Sequence, residues 1–278
     1  MASQPFHLFT SLRYDPLLLT SAENSLPILN YISPSPFYML VYHRDRMLEA
    51  AQHFDFHGVA EKLEDGKALH GELLKNVEEY IKQGGKDGPL KAAPSLGPAD
   101  SLPLNHLPTP EYLLRLDTQP TPSTPFTLLK TTARDHYDAS RARALPSNPS
   151  GAVYAEVLLY NEVSELTEGT TTSLYLFRGG RWVTPPVGVP AGQFTSETLK
   201  GAGDADEGEL RRPFAGRWGH SVRSAKVGAG GQRGASRRWA LKKGFCMEEP
   251  VSVGTVEVGE GVWVSNGVRG FAFGRVIE

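Results

Sequence analysis

Two segments decide the reading of this chain: Phe126-Thr-Leu-Leu-Lys130-Thr-Thr-Ala-Arg134, and Leu166-Thr-Glu168-Gly-Thr-Thr-Thr-Ser173. The first ends an apolar run on a lysine, so its amine is expected to be partly buried. Burial disfavours the charged form, which lowers the pKa of a lysine and leaves a neutral, nucleophilic amine. The second sets a carboxylate directly before a glycine and a run of hydroxyl side chains. Working outward, His43-Arg-Asp-Arg46 lies upstream and Gly234-Ala-Ser-Arg237 downstream. Together the four segments supply an amine, a carboxylate, an arginine and a turn of small residues.

Each of these has an ordinary explanation. Most lysines and arginines are solvated surface charges, which would cover Lys130 and Arg46 alike. A glutamate before glycine reads as a turn residue. Gly234-Ala-Ser236 reads as a helix N-cap, with residues 239–243 as the helix. The chemical reading needs them as a set. A carboxylate beside a ring nitrogen keeps that nitrogen protonated, so that the ring becomes an electron sink. An arginine supplies planar, doubly hydrogen-bonding recognition of phosphate, and a helix start directs backbone N–H groups at the same anion. An aldehyde, a ring nitrogen and a phosphate are the three handles of pyridoxal phosphate.

The 278 residues, 40% hydrophobic, suffice for a substantial core in one large domain or two modest ones. A formal net charge of -2 gives no global attraction to nucleic acid or an anionic membrane, so any basic partner site must be local. The single cysteine, Cys246, cannot close an internal disulfide, and no metal site is expected. The first residues lack the charged and apolar regions of a signal peptide, and the longest apolar run, residues 37–42, is far too short to span a bilayer. A cytoplasmic protein without membrane contact is the expectation.

Local patterning predicts a buried strand over 37–42, then a helix opened by Arg46 with Met47, Ala51 and Phe54 at helical spacing. Leu69, Leu73, Val77, Tyr80 and Ile81 form an apolar stripe over 67–83, stopped by Gly84-Gly85. Residues 86–110 read as an irregular connection and 112–116 as a short strand. Gln119-Pro-Thr-Pro-Ser-Thr-Pro125 cannot hold a helix or a central strand, because proline fixes φ and removes a donor. It marks a boundary between an N-terminal domain, 1–118, and a C-terminal domain, 126–278, with 119–125 as linker. Beyond it, 153–160 predicts a strand, and 173–177 pairs with 181–184 across Gly179-Gly180 as a hairpin. Further strands are predicted over 251–258 and 262–265. Residues 193–230 have few large apolar side chains and read as a long surface-loop insertion.

The order and wording of these segments resemble the class IV aminotransferases, the pyridoxal-phosphate enzymes of fold type IV, and within them proteins like aminodeoxychorismate lyase. Phe9-Thr-Ser-Leu-Arg13 resembles the family's opening strand, and His43-Arg-Asp-Arg-Met-Leu48 its His-x-x-Arg-Leu pattern, with methionine in the leucine's place. Lys130-Thr-Thr-Ala-Arg134 followed by Tyr137-Asp-Ala-Ser-Arg141 resembles the lyase version of the lysine segment. Leu166-Thr-Glu-Gly-Thr170 is the most specific piece, and Gly234-Ala-Ser-Arg237 and Val264-Ser-Asn-Gly-Val-Arg-Gly270 resemble two later turns. The resemblance implies an α+β fold of PLP type IV: a small N-terminal α/β domain and a larger, strand-rich pseudo-barrel domain, usually as a homodimer. It implies that Lys130 carries pyridoxal phosphate covalently, Glu168 meets the ring nitrogen, and Arg46 grips the phosphate. Backbone groups of Ala235, Ser236, Asn266 and Gly267 would complete the phosphate cup, with Tyr137 near the cofactor's phenolic oxygen and Arg13 and Arg269 on substrate carboxylates. The family's turn commonly reads Gly-Thr-Thr-Arg or Gly-Ile-Thr-Arg, so Gly-Ala-Ser-Arg changes a side chain and keeps the backbone.

Two reactions then compete for a small amino substrate. In the lyase, 4-amino-4-deoxychorismate gives 4-aminobenzoate and pyruvate, a step toward folate. In a class IV transaminase, branched-chain amino acids, D-amino acids or amines exchange their amino group with a 2-oxo acid. The wording around Lys130 favours the lyase. A third reading takes residues 211–243, with ten Arg or Lys and Phe214, Trp218 and Trp239 interspersed, as a nucleic-acid-binding arm. Charge composition alone is weak support for it.

Overall fold

The computed structural model describes residues 6–88, 110–145, 154–187 and 229–278. Contacts divide them into two units. The larger holds residue 6, residues 110–266 and Gly270–Glu278; the smaller holds residues 7–88 and Gly267–Arg269.

Period-two alternation builds the larger unit. Eight strands among the described residues, Tyr112–Leu116 (β1), Tyr154–Tyr160 (β2), Leu166–Gly169 (β3), Ser173–Arg178 (β4), Arg181–Thr184 (β5), Met247–Glu248 (β6), Gly261–Asn266 (β7) and Gly270–Val276 (β8), form one sheet in the order β3-β2-β1-β8-β7-β4-β5-β6. One face carries Leu114, Leu158, Leu174, Leu176, Val262 and Val264 into a common buried cluster. Leu166 of β3 and Val183 of β5, from near opposite edges of the strand order, enter that same cluster. The sheet must therefore curl around it, as a half-barrel does. Alternate residues face the other way. There Tyr175, Trp263, Phe271 and Phe273 pack with Ala240 of helix Ala235–Lys242 (α6 in chain order), and Val157 and Leu159 pack with Tyr137 and Ala144 of helix Asp135–Ala144 (α5).

The predicted hairpin forms in register, Leu176 opposite Val183 and Arg178 opposite Arg181. Gly179 and Gly180 both have positive φ, 56° and 79°, the backbone that a two-residue hairpin turn of this hand requires. The strand over 112–116 also forms, but it pairs in parallel with both β2 and β8. It thus belongs to the larger unit, and the Pro-rich segment at 119–125 falls inside that unit. The stretch 251–258 is corrected too: Val253–Thr255 is a 3-10 turn, and pairing is confined to a bridge between Glu165 and Ser252. The Thr255 N–H bonds the Ser252 carbonyl at 3.0 Å and the Val256 N–H the Val253 carbonyl at 3.0 Å, closing a turn where valine spacing suggested extension.

In the smaller unit, helices Leu40–His53 (α1), His57–Glu64 (α2) and Gly66–Lys82 (α3) pack together, with Leu48 and Ala51 of α1 and Leu63 of α2 buried. The stripe predicted over 67–83 is helical as expected, with Asp65 capping Lys67 and Ala68 N–H and Gly84 at φ 94° after its end. The strands expected at Phe9 to Arg13 and over 37–42 do not form; Tyr14 and Phe37 make an isolated antiparallel bridge, and α1 already begins at Leu40. The reason is a tertiary cap. Asn24 Oδ1 accepts the Met39 N–H at 3.3 Å and Asn30 Oδ1 the Leu40 N–H at 3.1 Å, serving helix donors that a local side chain would otherwise serve. A six-residue apolar run cannot by itself distinguish strand from helix.

Among the described residues no helix is long and apolar enough to cross a membrane. The insertion expected at 193–230 lies outside the described residues as far as 228, as does the corresponding part of 211–243. The rest of that basic segment includes α6, whose Trp239 stacks at 5.1 Å from Phe245 and 5.8 Å from Phe271, so this aromatic belongs to packing.

Candidate active site

The lysine segment is shaped by a capping box. Thr124 precedes a single helical turn, Pro125–Leu128 (α4), and Thr127 Oγ1 accepts the Thr124 N–H at 2.8 Å. Leu128 and Leu129 are buried, and the chain then emerges at Lys130, which is half-buried as the apolar run predicts. Four residues on, α5 begins after Arg134, which brings Tyr137 into its first turn with 1% exposure. Glu168, read from sequence as a turn residue, is in β3, all four residues of which are buried.

These elements converge on one carboxylate. Tyr137 Oη donates to Glu168 Oε1 at 2.5 Å, and the Gln232 N–H donates to Oε2 at 2.9 Å. Gln232 Nε2 in turn donates to Tyr137 Oη at 3.0 Å. Burial drives the Glu168 pKa up to about 7, against the downward pull of those two hydrogen bonds and of the Lys130 and Arg134 charges. The Tyr137 phenol is pushed well above its ordinary value, first by burial and then by the Glu168 charge beside it. Thr127, Tyr137, Glu168, Gly230 and Gly231 line a small pocket at this point. The Tyr137 hydroxyl is directed at Glu168, which revises the expectation that it faces a cofactor's phenolic oxygen. A buried phenol next to a carboxylate finds its strongest acceptor there.

Sequence reasoning missed Gln232 and the use of two arginines. Gly231, at φ 91°, packs against the Thr167 carbonyl and so delivers the Gln232 N–H to Glu168. Only the left-handed backbone of glycine signals it. Arg134 Nη2 donates to the Thr170 carbonyl at 2.8 Å, and Arg141 Nη1 donates to Thr170 Oγ1 at 2.8 Å. The arginines that accompany Lys130 in sequence thus tie its segment to the one bearing Glu168.

At the start of α6, Ala235 and Ser236 are buried, and Ser236 Oγ donates to the Asn266 carbonyl at 3.0 Å, joining two of the expected phosphate-cup segments. Arg237 is no surface charge: it is 3% exposed, ion-pairs with Glu248 and donates to the Pro185 carbonyl at 2.9 Å. The other candidates lie in the smaller unit. Arg46 on α1 donates to Thr10 Oγ1 at 2.7 Å, and His43 Nδ1 lies 2.7 Å from the same hydroxyl. Gly267 sits so close to His43 that an added Cβ would fall 2.4 Å from its ring. Arg13 is buried and ion-paired with Asp15, whose other oxygen caps the Leu17 N–H at 3.0 Å, so this guanidinium is engaged in holding a turn. Arg269 is half-buried in the turn between β7 and β8.

Comparison with known proteins places this arrangement. The family model for amino-transferase class IV matches residues 30–192. No protein of curated function matches the chain. Among solved structures, a Mesorhizobium loti protein assigned as an amino-acid aminotransferase is similar over 98% of this chain and 100% of its own, at 19% identity and a TM-score of 0.51. The 4-amino-4-deoxychorismate lyase of Pseudomonas aeruginosa covers 86% of this chain with 77% of its own at 19% identity and TM-score 0.45, and a fold IV transaminase of Curtobacterium pusillum covers 87% with 75% at 12% and 0.47. With its family model spanning more than half of the sequence and its curled, strand-rich fold shared, the chain belongs to the class IV aminotransferase family of enzymes.

Proposed function

We propose that this enzyme binds pyridoxal phosphate on Lys130 and converts 4-amino-4-deoxychorismate to 4-aminobenzoate and pyruvate. The observation that carries the reading is Glu168: a buried carboxylate, oriented by Tyr137 and Gln232 and within electrostatic reach of Lys130. The donor set fits the cofactor. A carboxylate accepts at up to about four positions, and the two bonds named leave Glu168 room for a ring N–H. Ala235 and Ser236 offer first-turn backbone N–H groups at the positive end of α6 for a phosphate.

When bound, pyridoxal phosphate supplies an electrophilic carbon for an amine and a ring that takes up the electron pair left by a broken Cα–H bond. Glu168, when ionised, would hold a positive charge on that ring nitrogen. Lys130 Nζ would anchor the cofactor and, once the substrate amine has displaced it, would take the proton from the substrate Cα as general base. Arg134 and Arg141 fix the chain beyond Glu168 through Thr170.

The lyase outcome rests on the wording Lys130-Thr-Thr-Ala-Arg134 with Tyr137-Asp-Ala-Ser-Arg141. Purified protein supplied with pyridoxal phosphate and aminodeoxychorismate is expected to release 4-aminobenzoate without accumulating the amine form of the cofactor. Activity only with amino donors and 2-oxo acids would replace elimination by transamination. Lys130→Ala, with its fold retained, is expected to lose the visible absorbance of the bound cofactor. A homodimer belongs to the same proposal, and sedimentation checks it.

A further inference from the structure

Besides the ties of Thr170 to Arg134 and Arg141, the side chains of Thr170, Thr171 and Thr172 all turn toward one residue. Glu156 on β2 has 0% exposure. Its Oε1 accepts from the Val157 N–H at 3.0 Å, from Arg141 Nη1 at 3.3 Å and from the Thr170 hydroxyl. Its Oε2 accepts from the Thr171 N–H at 3.0 Å, the Thr171 hydroxyl at 2.5 Å and the Thr172 hydroxyl at 3.1 Å. A carboxylate taken out of water and left without donors would be strongly destabilising, and here donors surround both oxygens.

Strand register explains the placement. Leu158 of β2 lies opposite Gly169 of β3, so Glu156, two residues earlier, faces the chain as it leaves β3. The turn there closes on itself, Gly169 N–H to Thr172 O at 2.8 Å, and is pinned to β2 by Thr170 N–H to Val157 O at 3.2 Å. It leaves no spare volume: a Cβ on Gly169 would fall 2.4 Å from Thr172 Oγ1 and 2.9 Å from Glu156 Cγ. One residue separates this clamped turn from Glu168.

We infer that Glu156 is a positioning residue for Glu168: by gathering the three threonines it fixes the turn that follows Gly169 and so the direction of the Glu168 carboxylate. The inference rests on the reading of Glu168 as the partner of the cofactor's ring nitrogen. Removing the second oxygen acceptor in Glu156→Gln sets an amide against the Thr171 and Thr172 donors, which releases the turn.

The test is a titration of each full-length variant with pyridoxal phosphate, reading the apparent Kd and the pH midpoint of the bound cofactor's visible absorbance. Glu156→Gln is expected to weaken binding about tenfold and to move the midpoint, because displacement of a contact group by a fraction of an ångström is felt strongly. Thr171→Val is expected to weaken it about threefold in the same direction, with Thr171→Ser restoring the native value. Glu260→Gln, which breaks the ion pair with Arg178 elsewhere in the unit, serves as the control, lowering the melting temperature and leaving Kd and midpoint unchanged. A Glu156→Gln protein that melts lower yet keeps the native Kd and midpoint overturns the inference. Should that variant not fold, a native Kd in Thr171→Val overturns it equally. A native chain that binds no pyridoxal phosphate overturns the functional reading and this inference together.

Discussion

Glu168 is the residue on which stability and the proposed chemistry meet. Its pKa stands at about 7 in the folded chain against an ordinary carboxyl value of 4.5, with burial as the leading cause. Between those two values the folded state holds a proton that the unfolded state has released. The contribution to stability is therefore complete below about pH 4.5 and is lost as the pH rises through 7, and a difference of this size is worth about 3 kcal/mol. The cofactor-free chain is expected to lose melting temperature from pH 5 to pH 8 through this group. Glu168→Gln, uncharged throughout, is expected to lose that part of the slope while accepting the Gln232 N–H as before. Its amide can donate to Tyr137, whose hydroxyl has a second acceptor in the Thr127 carbonyl at 3.2 Å. Parallel pH curves for the two proteins would contradict the assignment. Tyr137→Phe tests the same bond from the other side. It leaves Glu168 Oε1 and Gln232 Nε2 each short of a partner in a buried place, and is expected to cost about 1–3 kcal/mol in urea unfolding. At this scale the sequence was informative where an apolar run led up to Lys130. It was silent about Gln232, because a residue that acts through its backbone N–H leaves no side-chain pattern to read.

Elements formed by local chemistry were legible, and those formed by distant partners were not. The β4–β5 hairpin is written in Gly179-Gly180, and α3 in its stripe, its Asp65 cap and Gly84. The start of α1 is different, since its first donors are met by Asn24 and Asn30, side chains 15 and 10 residues upstream. Asn30 also donates to the Asn24 carbonyl at 2.7 Å, so one side chain holds both the cap and the loop that carries it. Asn30→Ala is expected to destabilise the chain by about 1–3 kcal/mol, measured by urea unfolding, with the loss of helix concentrated at α1 in amide exchange. A variant as stable as the native chain would show that local propensity alone starts this helix. Gly231 poses the matching question beside Glu168. At φ 91° and with a Cβ destined for 2.9 Å from the Thr167 carbonyl, Gly231→Ala meets both backbone strain and a clash with main chain. A loss of about 1–3 kcal/mol is expected, and full stability would mean that the loop has another conformation open to it.

For the whole larger unit, the decisive fact is where the last strand goes. β8 does not edge the sheet; it lies between β1 and β7, parallel to the first and antiparallel to the second. β1 in turn needs β8 on one side and β2 on the other, so two halves of the strand order meet through a segment at the end of the chain. Such pairings join residues more than 150 positions apart, Tyr112 with Gly274 for example. No window of sequence displays them, and this is why proline spacing placed the boundary at 119–125, after a strand that belongs with β2 and β8. The same topology makes a firm prediction. Deleting 270–278 removes Phe271, Phe273, Ala272 and Val276 from both faces of the sheet and leaves β1 and β7 with unpaired inner edges. Loop closure over that distance is slow, and its reward comes only when β8 docks. The truncated chain is expected to show no cooperative thermal transition by circular dichroism, whereas deleting the two-residue edge strand β6 is expected to lower the transition and leave it cooperative. A cooperative melt in the 270–278 deletion would mean that β1 and β7 can pair directly, and that the central position of β8 is not what binds the sheet into one unit.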